Sequence, residues 1–209
     1  MKTLITVMAS AALMAGSLGI AHAADKHLFY INGCCVKGPS DPKVGVYDTI
    51  VTELKNSGFN VVFALRYDDS EKNIQAEVAR IADQVKNLLA KGTAPEDITV
   101  SGYSLGSVTT LFASIAIANP KVNYVLLAGC PGPGARKFDI DYAKVQGRIL
   151  SIVDIKDDKF GSCATRVANA ATFKEITLDS GEGHRVFFLT DKTNLKLWKE
   201  PLVTWAKGQ

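Results

Sequence analysis

Residues 102–106 read Gly102-Tyr103-Ser104-Leu105-Gly106, a single hydroxyl set between two glycines where the β-branched run from Ile98 gives way to residues of helical period. This is the G-x-S-x-G pattern of a strand-turn-helix nucleophile elbow. A turn tight enough to lift a serine off a strand end strains its dihedrals and brings the flanking positions against neighbouring backbone, so Gly102 and Gly106 remove collisions that side chains would cause. The helix that follows turns its amide end toward the serine, which gives the Leu105 N–H a part in holding an oxyanion. The plain alternative is a glycine-rich turn with a surface serine.

A serine hydroxyl needs a base, usually histidine. Of the three histidines, His22 lies in the apolar N-terminal segment and His27 opens the first strand on the amino-end side. That leaves His184, in the loop "SGEGHRVFF" directly after the last strand, to partner Ser104. A third group must orient the imidazole and support its charged form. The segment "SIVDIKDDKFGSC" offers Asp154, Asp157 and Asp158 after the penultimate strand. An isolated loop histidine is otherwise a solvated residue.

These groups need elements to hold them. Met1-Lys2, an apolar stretch to Ile20 and the ending Ala21-His22-Ala23 have the form of a secretory signal peptide, so residues 1–23 are expected to be removed and 24–209 to form the exported domain, periplasmic or secreted. Removal leaves 186 of the 209 residues, enough for one core and too few for two ordinary domains. With Lys2 gone, 23 basic residues face 21 acidic ones, a net charge of +2 without like-charged blocks. Nothing in that distribution reads as a nucleic-acid surface or a polybasic membrane patch. No later apolar run is long enough to span a bilayer, so no integral membrane segment is expected in the mature chain.

Strand-like runs alternate with helical ones. "HLFYIN", "NVVFAL", "ITVSG", "VNYVLLAG", "RILSIVDI" and "FKEITL" read as six strands, the second of them buried on both faces. Between them lie a helix carrying Tyr47, Ile50, Val51 and Leu54, a long helix capped by Ser70 and ended by Gly92, and a largely apolar helix from Leu105 to Asn119. A short Ala-rich helix is expected near 164–171. A C-terminal helix carries Leu197, Trp198, Leu202 and Trp205, with a bend at Pro201. Strands separated by crossover helices predict a parallel sheet with helices on both faces, whose ligands bind at the carboxyl ends of the strands.

The order Ser104, Asp, His184 is that of the α/β-hydrolase family. Together with "LLAGC", "LSIVDIKDDKFGSC" and "GEGH", it makes the chain resemble small, lidless, exported serine hydrolases of that family from the first strand through the C-terminal helix. The resemblance implies a three-layer α/β fold with a mainly parallel sheet of about six strands and no cap domain. It implies Asp157 as the acid, and the N–H groups of Leu105 and Cys34 as the oxyanion hole. The chain departs from the family pattern after its first strand, where Asn32-Gly33 stands in place of the more usual His-Gly. The two N-terminal strands of the full fold have no counterpart.

Four cysteines in an exported chain favour disulfides. In this fold Cys130 and Cys163 follow neighbouring strands and are expected to pair, ahead of the adjacent Cys34 and Cys35. No metal is expected, because C-x-x-C and His spacings are absent and the three aspartates lack the spacing of a calcium loop. The implied reaction is cleavage of a small-molecule carboxylic ester through an acyl-enzyme on Ser104, with no cofactor. Thioesterase and acyltransferase chemistry use the same groups, and a non-catalytic exported binding protein could keep the fold. Arg66 is read as pairing with Asp68 or Asp69, or as meeting an anionic substrate group, and Phe187 and Phe188 as core packing.

Overall fold

A computed structural model describes residues 25–209, so the signal peptide expected over 1–23 lies outside the described residues. Six strands form one sheet: β1 (His27–Ile31), β2 (Asn60–Phe63), β3 (Ile98–Tyr103), β4 (Asn123–Leu127), β5 (Arg148–Asp154) and β6 (Thr172–Leu178). Their order is β2-β1-β3-β4-β5-β6, and every pairing is parallel. The central strands β3 and β4 are buried along their whole length, as their unbroken apolar and small-residue runs require. β2 is an edge strand and only half-buried, which corrects its reading as buried on both faces: one side has no partner strand.

Four helices cover the sheet: α1 (Lys43–Asn56), α2 (Glu71–Ala90), α3 (Leu105–Ile117) and α4 (Lys192–Ala206). α2 packs on α3, while Lys199 of α4 donates to Glu53 of α1 at 2.6 Å, so the helices form two layers flanking the sheet. α2 starts where Ser70 Oγ accepts the Asn73 N–H, and buries Ile74, Val78, Ile81 and Val85 at helical spacing. α4 continues over Pro201, and its buried stripe begins at Leu195 instead of the half-exposed Leu197. Trp198, Leu202 and Trp205 complete that stripe.

No helix forms at 164–171. Cys163 there is held by a disulfide to Cys130 and by its N–H to Glu175, and the following residues make isolated turns. The Cys130–Cys163 bridge, with Cα atoms 5.2 Å apart, joins the loop after β4 to the loop after β5. Beside it, Cys130–Pro131 and Phe160–Gly161 pair as a short antiparallel ribbon. Replacing both cysteines by alanine should therefore lower the unfolding free energy by about 2–4 kcal/mol in denaturant titrations, the usual range for opening a loop of this size.

The structure also closes Cys34 to Cys35, the pairing ranked second from sequence. With Cys130 and Cys163 bonded to each other, each of these two has only its neighbour as partner. The short turn after β1 is pinned on both sides and places the pair at its tip: Asn32 Oδ1 accepts the Arg66 N–H at 3.0 Å and Val36 N–H donates to the Arg66 carbonyl at 3.0 Å.

Candidate active site

The strand order reverses at β1, so the crevice between the carboxyl ends of β1 and β3 is the switch point of the sheet, where ligands bind in open α/β folds. Ser104 stands there. Its φ of 57° and ψ of −117° are strained for a side-chain-bearing residue, and the strain is held by its N–H to the Leu127 carbonyl at 3.0 Å and by two helix N–H groups on its own carbonyl. A Cβ on Gly102 would lie 2.1 Å from the Gly106 carbonyl oxygen, and one on Gly106 would lie 2.2 Å from that of Ile31. Both glycines are therefore required by close approach of backbone. They let α3 start against β1 and β3 with Ser104 at the apex.

Ser104, His184 and Asp157 come together from three separate loops. His184 Nε2 lies 2.8 Å from Ser104 Oγ, and His184 Nδ1 lies 2.6 Å from Asp157 Oδ2. An ionised carboxylate can only accept, so Nδ1 carries the ring proton and Nε2 faces the serine hydroxyl with its lone pair. Asp157 Oδ1 accepts the N–H groups of Lys159 and Phe160, both at 2.9 Å. Burial pushes the Asp157 carboxyl up. The His184 hydrogen bond and the two amides outweigh it and hold the group below the usual carboxylate range. The Asp157 side chain has no solvent exposure and that of His184 only 20%, so the relay is shielded while its serine end opens to the cleft.

The neighbouring aspartates serve other ends. Asp154 ends β5 and is buried, its carboxylate accepting from the Ser180 hydroxyl and from the N–H groups of Ser180 and Lys156. It ties the loop that carries His184 to the strand that carries Asp157. Asp158 is exposed, and its carbonyl backs Gly134, where a Cβ would meet it at 2.3 Å. His184 is flanked by the rings of Tyr103 and Phe160, each with its centroid 5.2 Å away. Burial pushes the Tyr103 phenol up, so this ring is a neutral wall for the imidazole. Sequence reading missed both aromatics: Tyr103 occupies a free position of G-x-S-x-G, and nothing in "DDKFGSC" says that Phe160 faces the histidine.

Cys34, Leu105 and Ser104 line one cleft of about 270 Å³, together with Asp69, Ala135, Arg136, Phe138, Lys159 and Phe160. Gly33 passes close to Ser104, since a Cβ on it would lie 3.3 Å from Ser104 Cβ. Leu105 is the first residue of α3, where the N–H has no carbonyl one turn back. Arg66 is buried and pairs with Glu77 of α2, not with Asp68 or Asp69, while its Nη2 also donates to Thr109 of α3 at 2.7 Å. It binds helices together and does not line the cleft around Ser104. Phe187 is fully buried against Tyr103, as core packing requires. Among the described residues, no helix is long and apolar enough to cross a membrane.

No protein-family model matches the sequence, and no curated protein matches it either. Solved structures do. The Francisella virulence factor BioJ shares 13% identity at a TM-score of 0.64, over 90% of this chain and 79% of that one. A phospholipase/carboxylesterase from Dyadobacter fermentans shares 15% at 0.57, over 87% and 91%. Arabidopsis thaliana SOBER1 shares 16% at 0.53, over 88% and 99%. At these identities the likeness is one of fold, and the fold is that of the α/β hydrolases, with a six-stranded parallel sheet flanked by helices.

Proposed function

We propose that this chain is an exported serine hydrolase that cleaves a carboxylic ester of a small molecule through an acyl-enzyme on Ser104. The observation that carries the reading is the unbroken relay from the buried Asp157 carboxylate through His184 to a serine held in strained geometry at the switch point of the sheet. A structural serine needs neither the strain nor a base with its lone pair turned toward it. The name of the Dyadobacter protein, a phospholipase/carboxylesterase, agrees with ester chemistry on this fold.

In this mechanism Ser104 Oγ attacks the ester carbonyl as His184 Nε2 takes its proton, and Asp157 stabilises the resulting imidazolium. The tetrahedral oxyanion is held by the N–H groups of Leu105 and Cys34. The imidazolium then returns the proton to the departing alcohol oxygen. Water repeats the sequence on the acyl-enzyme and releases the acid. No step calls on a metal or an organic cofactor. The segment between β4 and β5 contributes one strand of the ribbon, a loop and a short 3₁₀ turn at Tyr142–Lys144, too little for a cap domain, which supports turnover of short, soluble esters.

Labelling the folded protein with a fluorophosphonate and mapping the modified peptide tests the reading. Phosphonylation confined to Ser104 and abolished by His184→Ala is the expected result. A folded protein that stays unlabelled would instead be a binding protein that kept the fold.

A further inference from the structure

We propose that the Cys34–Cys35 disulfide is a positioning element of the oxyanion site, and that its reduction by a dithiol turns the hydrolase down. The proposal rests on the reading of Ser104 as nucleophile and the Cys34 N–H as an oxyanion donor. A Cβ on Gly33 would meet the Tyr103 ring at 3.1 Å and Ser104 Cβ at 3.3 Å, so Cys34, the next residue along the chain, lines the cleft beside Ser104.

Every group around that amide is fastened. Asn32 Nδ2 donates to the Gly33 carbonyl at 2.9 Å, and Lys43 Nζ donates to the Cys35 carbonyl at 3.1 Å. Arg66 holds Asn32 on one side and Val36 on the other. Among the described residues, the main chain of Cys34 itself makes no hydrogen bond. The Gly33–Cys34 peptide that carries this N–H is held at its carbonyl end by Asn32, and the disulfide closes a small ring through the Cys34 Cα and the following peptide, fixing the Cα from which the amide hangs. Opening the ring leaves the Asn32 anchor in place but releases the Cys34 Cα, so the aim of the N–H at the oxyanion loosens.

Exposure separates the two bridges. Cys34 is exposed and Cys35 half-exposed, while Cys130 and Cys163 are 1% and 0% exposed. A reductant reaches the first bridge in the folded protein and the second only after unfolding. The Asp69 carboxylate lies within 4.8 Å of both outer sulfurs, so a neutral dithiol is a better reagent than an anionic one. In the reaction the dithiol supplies two electrons and two protons. The sulfur–sulfur bond between Cys34 and Cys35 breaks to two thiols, and the dithiol closes to its own cyclic disulfide.

The test treats the folded wild-type protein with dithiothreitol, alkylates it, and confirms by peptide mapping that only Cys34 and Cys35 are modified. In parallel, unalkylated reduced enzyme is assayed on p-nitrophenyl acetate. Loss of one oxyanion donor costs about 10²–10³ in kcat, and loss of its alignment should cost about 10- to 100-fold. KM should stay within about twofold, since ground-state contacts are untouched. Inhibition by a trifluoromethyl ketone, whose adduct occupies the oxyanion site, should weaken in step with kcat, and reoxidation should restore both. Cys34→Ala combined with Cys35→Ala should show the lower kcat without treatment and ignore dithiothreitol. Unchanged kcat after verified opening, with Ser104 still labelled by a fluorophosphonate, overturns the switch and leaves the hydrolase. An oxidised protein that is folded but not labelled overturns both.

Discussion

Ser104→Ala is expected to lower ester hydrolysis by about 10⁴-fold or more while leaving the thermal midpoint nearly unchanged, as measured by kcat/KM and by circular dichroism on the same preparation. The hydroxyl's hydrogen bond is to His184, and the main-chain bonds that hold the turn do not involve it. Alanine keeps the Cβ and therefore keeps the strain at φ 57°. Glycine does not. Ser104→Gly should be as inactive as the alanine variant and more stable by about 1–2 kcal/mol, because the strained dihedrals cost a glycine little. Retention of a tenth of the activity in either variant would exclude Ser104 as the nucleophile.

Asp157→Asn is expected to cost about 10⁴ in kcat with the serine and oxyanion donors still in place, because an amide that donates to Nδ1 leaves the imidazole in the wrong tautomer to accept the serine proton. Asp158→Asn, at an exposed side chain, should change kcat by less than about threefold. Asp154→Asn should divide its effect differently. Its carboxylate accepts three hydrogen bonds in a buried site, so the expected loss is about 1–3 kcal/mol of stability with kcat reduced far less than in Asp157→Asn. A reversed ranking of rates among the three, compared at equal foldedness, would move the acid role to another aspartate.

The same two carboxyls set the response to acid. For Asp154, burial pushes the carboxyl up, and the Ser180 hydroxyl with the Lys156 and Ser180 amides more than compensates, so it too is held below the usual range. Groups whose folded pKa is depressed contribute stability that is fully present above the unfolded value, about 3.9 for aspartate, and lost as pH falls through the folded value. Stability should therefore fall below about pH 4, and Asp154→Asn should flatten that fall in denaturant titrations taken across it.

Much of this molecule follows from local pattern. The alternation of β-branched runs with amphipathic stretches determined the parallel strands β1 to β4, because a crossover helix returns the chain to the same direction, whereas β4 to β5 and β5 to β6 are joined without an α-helix. G-x-S-x-G placed a serine at a strand end, since two glycines at that spacing have little use except where backbones meet at about 2 Å from a would-be Cβ. His184 was legible because the other two histidines lay in the N-terminal segment and at the wrong end of the sheet. Elsewhere local pattern misled. "NVVFAL" is apolar enough for a central strand, but whether a strand is central depends on which strands flank it, and the topology puts β2 at an edge. "ATRVANAA" has helical composition, but Cys163 is anchored by Cys130 and Glu175, which constrains the chain before a helix can start. The choice among Asp154, Asp157 and Asp158, which family resemblance made from sequence, is a matter of direction in space: one faces Ser180, one faces His184 and one faces solvent. The Cys34–Cys35 bond was decided in the same way. With Cys130 and Cys163 brought together by neighbouring strands and bonded, each of Cys34 and Cys35 has only the other as partner.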